Sequence, residues 1–91
     1  KNYPPTYLPI QVNMFPWNLV ELGFWYCLFD EDPMPVLEKL PKLRNLQLHI
    51  CYRGNKISCS KNAFPELTYL ALDGLFSLKV WNVEHGGFPK L

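Results

Sequence analysis

The chain has 91 residues, of which 48% are hydrophobic and 19% charged, and it carries a net charge of +1. That is the composition of a small globular unit and excludes a disordered chain; without a basic excess to track phosphates, nucleic acid is not an expected partner. No apolar run approaches the length that crosses a bilayer, and the three cysteines, with no N-x-Ser/Thr acceptor beside them, make no disulfide framework and favour a reducing, cytoplasmic setting.

In chain order, residues 1–14 are rich in Pro and Tyr, open at Lys1 rather than at a methionine, and read as the remnant of a preceding repeat. The first patterned segment is Leu19-Val-Glu-Leu22-Gly-Phe24-Trp-Tyr-Cys27. Leu22 and Phe24 lie two apart and so point to one face of a short strand. In the connection that follows, Asp32 suits a helix N-cap and Pro33 the first helical position. Asp30 and Glu31 fall near the positive end of the helix dipole. A helix of about two turns is expected from Pro33 to Leu40, with Val36, Leu37 and Leu40 on the core. Leu43-Arg-Asn-Leu46-Gln-Leu48-His-Ile-Cys51 supplies a second strand, and Leu67-Thr-Tyr-Leu70-Ala-Leu72-Asp-Gly-Leu75 a third. Between them Tyr52-Arg53-Gly54-Asn55-Lys56 reads as a polar loop and Ile57-Ser58-Cys59 as a short extended piece. Val80-Trp81-Asn82-Val83 is β-like and Gly86-Gly87 a turn.

The three strand segments align without a gap at a lag of 24 residues, and Leu91 opens a fourth copy. Leu40-Pro41, Phe64-Pro65 and Phe88-Pro89 precede the copies at one offset, while Phe15-Pro16 leads the first with one extra residue. A proline here gives no N–H to a ladder and disfavours helix in the residue before it, so it ends one connection and starts an extended run. The period falls within the leucine-rich-repeat range of about 20–29 residues. One repeat cannot bury Leu19, Leu22, Phe24 and Cys27 alone, whereas stacked repeats bury them as ladders. The expected fold is an α/β leucine-rich-repeat solenoid over residues 15–91, with repeats beginning near 19, 43 and 67. Its parallel sheet lines the concave face; loops, short extended pieces and one short helix form the convex face.

Three connecting segments resemble a known family more specifically than the leucine pattern does. They are Asp30-Glu-Asp-Pro-Met-Pro-Val-Leu-Glu-Lys-Leu-Pro-Lys-Leu43; Gly54-Asn-Lys-Ile-Ser-Cys-Ser60 with Phe64-Pro-Glu-Leu67; and Leu78-Lys-Val-Trp-Asn-Val-Glu84-His-Gly-Gly-Phe-Pro-Lys-Leu91. All resemble the repeat region of plant nucleotide-binding leucine-rich-repeat disease-resistance proteins of the coiled-coil class. His85, where the family often has an acidic residue, and the glycine-poor Lys61-Asn62-Ala63 depart from the pattern. The resemblance implies an intracellular immune receptor whose repeats sense pathogen effectors or altered host proteins. It also implies that they restrain the receptor's own nucleotide-binding domain. No G-x-x-x-x-G-K-[ST] loop is present, so an ADP or ATP site is expected only upstream and no cofactor in this segment. Two other repeat classes fit less well. Substrate-binding repeats of F-box ubiquitin-ligase adaptors are more regularly helical, and receptor-kinase ectodomains carry N-x-L-x-G-x-I-P after the strand.

Strand residues that alternate with the core positions are the candidate partner-binding face: Glu21, Gly23 and Trp25; Asn45, Gln47 and His49; Tyr69, Ala71 and Asp73. Outward Trp25 and Tyr69 suit interface anchors, although Trp25 has a second reading, in which it packs on its neighbours. His49 beside Asp73 has no serine or cysteine nucleophile placed with it, so a binding module rather than an enzyme is expected. His49-x-Cys51 with Cys59 lacks the paired spacing of a zinc site. Cys27 and Cys51 share a repeat position and are expected to be stacked, buried thiols, with Cys59 the most reachable of the three. The run Asp30-Glu31-Asp32 reads as a solvated helix start.

Overall fold

A computed structural model of the chain describes residues 14–26 and 29–91. The elements run β1 (Glu21–Trp25), α1 (Met34–Leu37), β2 (Asn45–His49), β3 (Lys56–Cys59), β4 (Tyr69–Asp73) and β5 (Val80–Val83). They build two parallel sheets, one ordered β1-β2-β4 and the other β3-β5. The register keeps the lag of the sequence throughout: Leu22 pairs with Leu46 and Leu46 with Leu70, while Ile57 pairs with Trp81. Alternation along each strand therefore repeats across the sheet, and like side chains stack on like.

The core lies between the sheets. Leu43, Leu46, Leu48, Leu67, Ile57, Phe64, Met34 and Leu37 are all buried, and Leu19, Leu22, Leu70, Leu72 and Leu75 pack against them. Cys51 is buried in the same layer, whereas Cys27, its expected stacking partner, lies outside the described residues, as do residues 1–13. Rings extend the core in edge contacts, Phe15 on Phe24 at 6.2 Å and Phe24 on Phe29 at 5.1 Å. At the other end Phe64 and Phe88, equivalent residues of successive copies, stack at 4.9 Å.

The helix is shorter than the sequence suggests. After Met34–Leu37 the backbone tightens into turns, with Lys39 N–H on Val36 and Leu40 N–H on Leu37. Pro41 disfavours helix at Leu40, which limits the segment. Met34, fully buried, joins Leu37 and Leu40 on the core side, and Val36 is only half-buried.

The acidic run is not uniformly solvated, a correction to the sequence reading. Asp32 accepts two backbone N–H groups, from Met34 at 2.9 Å and from Ser58 at 2.7 Å. Burial raises its pKa above the usual 3.8, against the lowering effect of those two bonds. Asp30 instead reaches Arg53 in an exposed pair at 3.1 Å, and such pairs contribute little to stability.

Candidate functional site

The outer face of the β1-β2-β4 sheet presents the nine residues singled out by alternation. Parallel pairing brings them into three rows, Glu21-Asn45-Tyr69, Gly23-Gln47-Ala71 and Trp25-His49-Asp73. The rows differ in character. Glu21 and Tyr69 stand exposed at the outer edges of the first, with Tyr69 52% exposed. Gly23 and Ala71 are small and keep the middle row low.

The third row is built up side by side. The Trp25 indole stacks on the His49 imidazole, ring centroids 5.0 Å apart and planes within 10°. The same indole folds back along its own strand over Gly23, where a Cβ would run into the ring. Gly23 is thus the seat of Trp25, and any other residue there displaces the indole. His49 Nδ1 lies 3.4 Å from Asp73 Oδ2, and Nε2 lies 3.1 Å from Gln47 Oε1. Gln47 in turn donates through Nε2 to Asn45 Oδ1 at 3.3 Å. A neutral imidazole donates through one nitrogen only, so it satisfies one of these two acceptors at a time. The result is a surface network from Asn45 to Asp73 with a flat aromatic lid on one side. Beside it a shallow depression of about 230 Å³ is lined by Glu21, Leu22, Gly23, Trp25, Asn45 and Gln47.

Both readings of Trp25 have structural content. The indole packs on Gly23 and His49, yet it is only half-buried, so part of it remains accessible. A stacked, pre-positioned aromatic loses little conformational freedom when covered, which is what an interface anchor requires. The Gly-x-Trp spacing was the available signal for this seat: small and large two apart on one strand face.

Chemistry of other kinds has less to work with. Cys59, expected to be the most reachable thiol, is 1% exposed. Burial pushes its pKa up to about 11, outweighing a hydrogen bond to Trp81 that lowers it. The cause is its inward place on β3, two residues from buried Ile57. Among the described residues no cluster of three His, Cys, Asp or Glu side chains stands ready for a metal ion, and no helix is long and apolar enough to cross a membrane.

Comparison with known sequences supplies the class. No protein-family profile matches the chain, and no solved structure matches it, but plant disease-resistance proteins align with most of its length. The chain is homologous to plant disease-resistance proteins and spans about 9% of the length of the curated relatives it matches. Three from Arabidopsis thaliana illustrate the likeness. The probable disease resistance protein RXW24L is 40% identical over 82 residues, 89% of this chain. Disease resistance protein RPP8 is 40% identical over 80 residues, 87% of this chain. Disease susceptibility protein LOV1 is 37% identical over 90 residues, 98% of this chain.

Proposed function

We propose that this chain belongs to the leucine-rich-repeat solenoid of an intracellular plant immune receptor of the nucleotide-binding type, and that it works by binding protein surfaces rather than by catalysis. The outer face of the β1-β2-β4 sheet is then the concave face. It senses a pathogen effector or an altered host protein, and it restrains the receptor's nucleotide-binding domain in the resting state. The observation that carries the reading is the Trp25-His49-Asp73 row, a stacked aromatic tied into a polar network on a face with no core to cover. Aromatic anchors ringed by satisfied polar groups are the arrangement that concentrates binding energy at interfaces. Homology to disease-resistance proteins supports the immune setting of the proposal. The nucleotide, and with it any ATP chemistry, belongs to another part of such a receptor.

The test takes the natural full-length protein, expresses its repeat region and its nucleotide-binding domain as separate polypeptides, and measures their association by co-precipitation. The variant combines Trp25→Ala, His49→Ala and Tyr69→Ala, with the fold checked by circular dichroism. Lost association with the fold intact supports the outer face as the resting contact. Association at the wild-type level removes the restraining role from this face.

A further inference from the structure

The rim where the chain leaves the three-stranded sheet carries a surface that the outer face does not use. After β2 the backbone turns at Ile50 and after β4 at Gly74, both with positive φ. The Ile50 side chain lies over Gly74, where a Cβ would run into Ile50 Cγ1. Tyr52 and Phe76 follow at equivalent places 24 residues apart. Tyr52 is 8% exposed and Phe76 87%.

Two local differences accompany this contrast. Tyr52 folds its ring over Gly54, so closely that a Cβ there would meet the ring and its hydroxyl. That hydroxyl donates to the Lys56 carbonyl at 2.7 Å. In the next copy the place of Gly54 is taken by Leu78, which packs against the core. Phe76 therefore has neither a vacant seat to fold over nor a hydroxyl to anchor it, and it stands in solvent.

Phe76 and Ser77 form a wall shared by two adjoining depressions. One, of about 560 Å³, is completed by Arg53, Gly54, Asn55 and Lys79. The other, of about 320 Å³ and mostly apolar, extends toward Ile50. No acidic side chain lines either. Among the described residues Lys79 has no ion-pair partner, and Arg53 is held only by its exposed contact with Asp30, which exchanges readily in water. An exposed aromatic in a groove with two cations calls for an apolar side chain accompanied by carboxylates.

We propose that the rim groove around Phe76 is a second docking site, separate from the outer face, for an acidic protein segment. An apolar side chain of that segment seats against Phe76 and Ile50, and neighbouring carboxylates meet Arg53 and Lys79. A membrane surface is matched less well, because two cations attract an anionic leaflet only weakly.

The test again uses the natural full-length protein. Phe76→Cys, treated with a maleimide, reports whether the groove is open: modification at the rate of an exposed thiol is expected, and protection would show that the protein's own chain covers it and would overturn the proposal. Binding is read by fluorescence anisotropy with a labelled peptide alternating glutamate with leucine and phenylalanine. Wild type should bind it, Phe76→Ala should weaken binding at least about tenfold, as loss of an aromatic anchor does, and Lys79→Glu should weaken it and reduce its salt dependence. A peptide with lysine in place of glutamate should not bind. Failure of wild type to bind the acidic peptide, equal binding by Phe76→Ala, or Phe76-dependent capture of phosphatidylserine vesicles instead of the peptide would each overturn the proposal.

Discussion

Residues with left-handed backbone recur at the lag of the repeat. Tyr26, Ile50 and Gly74 stand at φ 60, 52 and 68, each directly after a strand of the first sheet. Only Gly74 announces itself in the sequence, since glycine adopts this region without penalty. For Tyr26 and Ile50 the conformation costs on the order of 1–3 kcal/mol each. It is held by a repeated bond: Tyr26 N–H donates to the His49 carbonyl at 3.0 Å, and Ile50 N–H to the Asp73 carbonyl at 2.8 Å. The neighbouring strand, not the residue type, sets the corner, which is why no local pattern reveals it. The same lesson applies to Cys59. The loop-like residues before it suggest exposure, but its inward place on β3 buries it. Its thiol pKa, pushed up to about 11 from 9.0, keeps it protonated and poorly nucleophilic at neutral pH. Iodoacetamide at about pH 8, with sites mapped by mass spectrometry, should leave Cys59 unmodified in the folded protein and alkylate it rapidly in urea. Alkylation of the native protein at the rate of an exposed thiol would refute its burial.

At the scale of elements, the edge of β3 away from β5 is closed by side chains rather than by another strand. Ser58 N–H goes to Asp32, Ser60 N–H to Glu38 Oε1 at 2.9 Å, and the Lys56 carbonyl takes the Tyr52 hydroxyl. Parallel strands direct alternate residues to opposite edges, and residues 56, 58 and 60 are the alternate set facing α1. A helix cannot supply ladder partners, so two carboxylates and a phenol satisfy the edge and block it from pairing with another chain. This capping has a pH signature. The folded pKa of Asp32 is raised, chiefly by burial, so the folded state binds its proton more tightly than the unfolded state does. The stabilising contribution of this group is then greatest below about 3.8, declines as pH rises through the raised value, and is constant above it. The stability difference between wild type and Asp32→Asn, followed by urea denaturation across the acid range, should therefore fall with rising pH. A difference that rises with pH would mean that the two backbone bonds outweigh burial and that the folded pKa is lowered.

For the molecule as a whole, the repeat made much of the architecture legible. A constant lag of 24 with apolar residues two apart dictates parallel strands in that register, and Leu22-Leu46-Leu70 follows directly. The nine outer-face positions follow from the same alternation, so their rows are readable in the sequence. What the rows do locally is not: the seat of Trp25 on Gly23 and the stack on His49 depend on side-chain directions that spacing alone does not give. The β3-β5 sheet was foreseen as two extended pieces but not as a pair, because Ile57 and Cys59 share no residue type with Trp81 and Val83. Repetition also explains why equivalent residues are not energetically equal. Leu46, on the central strand, is fully buried, with β1 on one side and β4 on the other. Leu70, its equivalent on β4, is only half-buried, since among the described residues β4 pairs with β2 alone. Truncating Leu46 leaves an enclosed cavity and should cost about 2–5 kcal/mol. Truncating Leu70 opens a space that water and neighbouring side chains reach, so it should cost clearly less. Urea denaturation of Leu46→Ala and Leu70→Ala in the 91-residue chain measures the contrast directly. Equal losses would mean that β4 is enclosed as fully as β2 and that burial does not grade along the sheet as the strand order requires.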